Sequence, residues 1–153
     1  MKFLETKIPP PVVTALFGLA MWWISTVTST FEINLVVQII AIVIVLGTGF
    51  YFAFSAFRTF KRVQTTVDLI QPEKSTSLVS SGVFQRSRNP MYVGLALLLT
   101  TWTIFLSAPV ALVGVLGFML YMNKFQSKPE ERALEQIFGS EFEDYKSSVR
   151  QWL

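Results

Sequence analysis

The sequence predicts an all-α integral membrane protein: four transmembrane helices arranged as two hairpins, followed by C-terminal amphipathic surface helices. Three observations carry this expectation. Of 153 residues, 52% are hydrophobic and only 15% charged, against roughly 25% charged in an ordinary soluble domain. Charge is nearly absent from two long stretches: Glu32 stands alone between Pro9 and Phe57, and there is none between Asn89 and Asn123. The Lys and Arg residues collect at alternate ends of the apolar runs, as they do in proteins that thread a bilayer.

The elements follow in order. Residues 9–57 read as an N-terminal helical hairpin with apolar runs Pro11 to Ser29 and Ile33 to Phe57. At about 1.5 Å of rise per residue, the second run exceeds the roughly 30 Å of a hydrocarbon core. Thr30-Phe31-Glu32 between them predicts a tight turn. Residues 58–88 form a cytoplasmic loop. Within it, Thr65 to Asp68 and Gln71 to Lys74 are turn-like, and Leu78 to Phe84 is irregular. Residues 89–125 read as a second hairpin, Met91 to Leu106 and Pro109 to Asn123, each near the lower length limit for a span. Pro109 disfavours helix at Ala108 and suits the first turn of the next helix.

Orientation follows from the basic residues. Lys2 and Lys7 precede the first run. Arg58, Lys61, Arg62, Lys74, Arg86 and Arg88 follow the second, and Lys124 and Lys128 follow the fourth. Both termini and the middle loop are therefore expected in the cytoplasm, with the chain in a bacterial inner (plasma) membrane. A cleaved signal peptide is the rival reading of the N-terminus. Pro9-Pro10-Pro11 leads the apolar stretch, and no small-x-small site follows before Ser25, which disfavours it.

Composition also excludes chemistry. With no Cys and no His, there is no disulfide framework, no His/Cys zinc site and no Ser-His or Cys-His nucleophile pair. A net charge of +3 clustered beside the spans fits a membrane surface and no nucleic-acid partner.

The tail, 126–153, reads as two short surface helices. Ser127-x-x-Glu130 and Ser140-x-x-Glu143 match capping boxes, and Gly139 is a stop between them. Ala133, Leu134, Ile137 and Phe138 share one apolar face. Phe142, Tyr145, Val149 and Trp152 share another. Taken alone, this is a plain amphipathic anchor.

Two pieces stand out together. One is Gly82-Val83-Phe84-Gln85-Arg86-Ser87-Arg88-Asn89-Pro90-Met91-Tyr92-Val93-Gly94. The other runs Pro129-Glu130-Glu131-Arg132-Ala133-Leu134, then Phe138-Gly139, Phe142, Tyr145 and Val149-Arg150. Taken singly, each has a bland reading. Asn89-Pro90 is a good helix start, and Glu130 and Glu131 suit the first turn of a helix. In order and separation they resemble the isoprenylcysteine carboxyl methyltransferase and phospholipid methyltransferase superfamily. Those are membrane enzymes with an Arg-His-Pro-x-Tyr motif, a helical hairpin and then a Glu-Glu pair. The resemblance covers about residues 65–153. Asn89 departs from the pattern, standing where the family has His. Asn hydrogen-bonds in both directions but is no base near neutral pH.

The resemblance implies S-adenosylmethionine as cofactor, no metal, and a lipophilic acceptor drawn from the bilayer. The acceptor would be a prenyl-cysteine-like or isoprenoid carboxylate, or a phospholipid amine. It places Asn89, Tyr92, Glu130 and Glu131 in the catalytic centre, and Arg88, Asn89, Pro90, Tyr92, Gly94, Glu130 and Glu131 around the cofactor. Arg88 beside a helix N-terminus would suit the cofactor carboxylate. Glu130 or Glu131 would accept from its amino group or ribose. Gly94 would allow close approach of the cofactor or of a neighbouring helix. Tyr145 and Arg150 would close the pocket or anchor the tail, and Asp68 or a glutamate would take a proton from an amine acceptor. Replacing Glu130 and Glu131 by Gln is expected to weaken binding without unfolding.

Three rivals differ in class. A small proton-coupled exporter needs an ionisable residue inside a span, and the four runs have none. A related NADPH-dependent sterol-type reductase is a much longer chain. A catalytically inactive membrane or assembly protein of the same fold is the third, and the Asn89 departure bears on it.

Overall fold

The computed structural model describes residues 7–63 and 78–153. Six α-helices account for most of them: α1 (Pro10–Val27), α2 (Leu35–Val63), α3 (Pro90–Leu106), α4 (Leu112–Met122), α5 (Lys128–Phe138) and α6 (Ser140–Ser148). No strand occurs among the described residues. The turns expected at Thr65 to Asp68 and Gln71 to Lys74, and the residues Lys2 and Asp68, lie outside them.

Two helices, Pro10–Val27 and Leu35–Thr59, are long and apolar enough to cross a membrane, and α3 is a shorter apolar helix. The starts obey local rules. Both α1 and α3 carry Pro in the first turn, where the missing N–H costs nothing. Asn34 Oδ1 accepts from the N–H groups of Val36 (3.0 Å) and Val37 (3.4 Å), which caps α2. Hydroxyls inside the apolar helices bond back to their own carbonyls, as Thr14 does to Pro10 (2.9 Å) and Thr101 to Leu97 (2.9 Å). These hydroxyls are then not left unpaired in an apolar setting.

The centre of the bundle is α3, with α2 on one flank and α1 and α4 on the other. Glycine sets the α2–α3 distance. A Cβ on Gly94 would lie 3.0 Å from the Gly49 carbonyl and 3.1 Å from Ala53 Cβ, so the two backbones touch through small residues. The main core joins Met21, Tyr92, Leu99, Ala108, Phe118 and Met122.

The first hairpin is not the expected one. The connection is no three-residue turn: residues 28–34 run without helix, and Phe31 N–H donates to the Ser107 carbonyl (2.9 Å). Gln38 Nε2 holds the same end of α3 through Ile104 O (2.9 Å) and Ser107 Oγ (3.0 Å). As a result, α1 and α2 pack on α3 rather than on each other. An apolar cleft of about 920 Å³ lies between them, floored by Leu98, Leu99 and Trp102.

The second boundary also moves. Helix does not stop at Asn123 and restart at a capping box. A π-helical turn, Asn123–Ser127, joins α4 to α5. Ser127 has helical dihedrals and makes no side-chain cap, so that capping box does not form. Neither does the second, because the Gly139 carbonyl, not Ser140, receives the Phe142 (3.1 Å) and Glu143 (3.2 Å) N–H groups. Gly139 does end α5, with φ +53°.

Candidate active site

The site forms where α3 begins and α5 begins. Arg88 precedes α3. Its Nε and Nη2 reach Glu131 Oε1 at 3.1 and 2.9 Å. Its Nη1 donates to the carbonyls of Lys146 (2.8 Å) and Val149 (2.7 Å). One turn into α3, the Tyr92 hydroxyl donates to Glu130 Oε1. The two motifs, some forty residues apart in sequence, therefore meet side chain to side chain.

The π turn makes this alignment possible. It holds one more residue than an α turn, which sets everything beyond it back by about 100° around the helix axis. The buried line of α4 runs through Val115, Phe118 and Met122. With the extra residue discounted, Glu130 lies about two turns beyond Met122 and rejoins that line. Pro129 supplies a cause. In an unbroken α-helix its ring would clash with the Phe125 carbonyl and remove a donor to it, and a wider turn just before it relieves both problems.

The tail completes the corner. Arg88 N–H donates to the Arg150 carbonyl (2.9 Å). The Gln151 carbonyl accepts from Ser87 Oγ (3.2 Å) and Asn89 Nδ2 (3.4 Å). Gln151 Nε2 returns to Asn123 Oδ1 (2.9 Å). The Tyr145 hydroxyl donates to the Phe84 carbonyl (2.7 Å), and Phe142 is 1% exposed. The tail is thus docked on protein, not laid out as a free amphipathic anchor.

The two acids have different surroundings. Burial pushes the Glu130 carboxyl up to about 7, and Glu131 adds to the rise while the Tyr92 hydrogen bond opposes it. Glu131 faces the Arg88 guanidinium, and Lys146 Nζ lies 3.8 Å from its other oxygen.

Each predicted residue can now be placed. Arg88, Tyr92, Glu130 and Glu131 come together, and Asn89 and Pro90 stand at the same corner. Asn89 occupies the cap position of α3 without a side-chain cap, and its carbonyl takes the Tyr92 and Val93 N–H groups (3.0 Å each). Gly94 does not face the corner. It lies in the α2–α3 crossing, which was the alternative reading for it. Arg88 spends four of its five N–H donors on Glu131 and tail carbonyls. Tyr145 braces the tail, while the Arg150 side chain is exposed and contributes its carbonyl. The sequence reading missed Asn123 and Gln151, which tie the π turn to the tail. Pro129 following an unbroken apolar helix was the available signal for the first.

A family model described as phospholipid methyltransferase matches residues 36–141, which take in the first motif, the Glu130-Glu131 pair and the start of α6. The chain belongs to this family. A curated relative described as an uncharacterized protein of Haemophilus influenzae is 46% identical over 63 residues, 41% of this chain and 100% of its own. A protein-S-isoprenylcysteine O-methyltransferase of Dictyostelium discoideum is 31% identical over 85 residues. That match takes in 53% of this chain and 35% of the Dictyostelium protein. No solved structure matches. Family and relative both point to methyltransferase activity at a membrane.

Proposed function

We propose that this protein transfers a methyl group from S-adenosylmethionine to a lipophilic acceptor at the cytoplasmic face of a membrane. The observation that carries the reading is the Tyr92–Glu130 contact beside the Arg88–Glu131 pair. It unites both halves of the motif at one end of an uncharged helical unit. The basic residues Arg58, Arg86, Arg88, Lys124 and Lys128 mark that end, and Glu32 lies in the connection at the other. This distribution supports four spans with both termini inside.

The donor set fits the cofactor in part. Glu130 offers a carboxyl to an amino group or to ribose hydroxyls, and Asn89 offers an amide at the N-terminus of α3. Arg88 and Glu131 instead hold the frame: they pin the tail and α5 to α3. When bound, the cofactor supplies an electrophilic methyl group. The chain's own task is alignment, which can contribute on the order of 7–11 kcal/mol. Water is excluded by the docked tail and by the core packed around Tyr92. Glu130, titrating near neutrality, can take a proton at its carboxylate from an amine acceptor. A carboxylate acceptor needs no such step. The apolar cleft and the family's descriptions support a lipid-borne acceptor in either case.

Titration calorimetry in detergent tests this. S-adenosylhomocysteine is expected to bind in the micromolar range and NADPH not at all. Glu130→Gln should weaken binding at least tenfold with the fold intact. Glu131 is unsuitable for that test, since removing its charge also strips Arg88 of its partner. A labelled-methyl assay on extracted lipids then identifies the acceptor. Failure of S-adenosylhomocysteine to bind, or unchanged binding by Glu130→Gln, overturns the assignment.

A further inference from the structure

The π turn carries two polar groups that the corner just described does not use. Gln126 is 1% exposed and Ser127 is fully buried. Gln126 Oε1 and Ser127 Oγ have no hydrogen-bond partner among the described residues. A buried polar atom without a partner is expensive, and natural proteins leave few.

Neither vacancy reflects a side chain turned the wrong way. Gln126 Nε2 donates to the Ile8 carbonyl at 2.7 Å. Flipping the amide would set oxygen against oxygen, so the unsatisfied atom is the acceptor. Ser127 could have bonded back to a helix carbonyl, as Thr100, Thr101 and Thr103 do in α3. On the π turn it does not. The carbonyl one wide turn earlier, Asn123 O, is taken by the Lys128 N–H.

The turn that carries them is tied to the corner. Ser127 lies one turn before Glu130 on the same helical path. Asn123, at the head of the turn, is bonded to Gln151, whose carbonyl takes the Asn89 amide.

We propose that Gln126 Oε1 and Ser127 Oγ are buried acceptors that each take an N–H or O–H donor of the bound ligand. The proposal rests on the methyltransferase reading and adds two recognition residues to it. The donor group can come from the cofactor or from the headgroup of the acceptor lipid.

Ser127→Ala separates the sources. The full chain is measured in detergent for its Tm, for S-adenosylhomocysteine affinity by calorimetry, and for phosphatidylethanolamine binding by native mass spectrometry. Removing an unpartnered hydroxyl should leave the Tm unchanged or higher, which a structural hydroxyl would not allow. A fall of about five- to tenfold in S-adenosylhomocysteine affinity assigns the pair to the cofactor. A similar fall confined to phosphatidylethanolamine assigns it to the acceptor. Ser127→Cys, which keeps the volume with a weak hydrogen-bonding group, should show the same loss if Ser127→Ala does not fold. Unchanged affinity for both probes, or a lowered Tm in both variants, overturns the proposal. If the parent binds no S-adenosylhomocysteine, the methyltransferase reading fails, and the lipid measurement decides the pair's role alone.

Discussion

The two ends of α3 are held by different physics. Where it begins, Arg88, Asn89 and Tyr92 are fixed by directional bonds to α5 and the tail. Beyond its first turn, from Gly94 onward, close backbone approach to α2 and apolar contact with α1 and α4 do most of the holding, beside an apolar cleft; Trp102, Gln38 and Phe31 add uncharged hydrogen bonds toward its last turn. In lipid there is little hydrophobic drive between helices, so small-residue packing does the holding. At the membrane surface, an ion pair and carbonyl bonds can be sheltered by folded protein. Placement of the reacting groups is therefore entrusted to the directional end.

That contrast predicts the largest effect at Arg88. Its side chain is 12% exposed and that of Glu131 14%, so Arg88→Ala leaves a sheltered carboxylate and two tail carbonyls without their donor. Breaking a buried pair by removing one member costs about 3–5 kcal/mol. A lowered Tm in detergent, together with rapid proteolysis between Gly139 and Leu153, is the expected result. A stable variant whose tail stays protected would show that the corner is held by apolar docking of Phe142 alone.

Glu130 comes next, and its effect depends on pH. Its folded carboxyl titrates near 7 against an ordinary 4.5, so the folded state holds the proton more tightly than the unfolded one. Stability is then highest below about pH 4.5, falls as pH rises toward 7, and levels off above. The full difference is on the order of 3 kcal/mol. Glu130→Gln should match the parent near pH 4.5 and exceed it in Tm at pH 8. Parallel Tm profiles for the two proteins would refute the burial of this acid.

At the apolar end, Gly94→Val should cost about 1–3 kcal/mol through overpacking, since the new Cβ would press on Gly49 and Ala53. S-adenosylhomocysteine affinity should change less than in Glu130→Gln. An equal loss would mean that the α2–α3 crossing sets the corner's geometry as strongly as the ion pair does.

Much of this was legible in the residues. The two stretches nearly without charge locate the apolar helices, Pro10 and Pro90 mark starts, and the motifs at either end of an uncharged run foretell that the two meet. What escaped depends on distant partners. Nothing local in Thr30-Phe31-Glu32 says that the Ser107 carbonyl will draw the connection out and keep α1 from α2. Arg88 and Glu131 both look like ligand groups, and nothing local says that they face each other. The π turn was half-visible, since Pro129 cannot follow Phe125 in a regular helix, but which carbonyls open is decided by packing. The two Ser-x-x-Glu patterns failed for different reasons: a helix already running through Ser127 needs no cap, and at α6 the cap position falls on Gly139, one residue before Ser140.

The smallest effect tests how the tail is shared between the two kinds of holding. Tyr145 donates to the Phe84 carbonyl at 2.7 Å, and its ring packs beside Ala56, Val79 and Val83. Tyr145→Phe keeps the ring and removes one hydrogen bond, a loss of about 1 kcal/mol. Tyr145→Ala removes the ring as well and should cost about 3 kcal/mol. The difference between the two variants measures the apolar share of the docking directly. If Phe and Ala at this position cost the same, the tail is held by its bonds alone, and the contrast between the ends of α3 extends to the C-terminus.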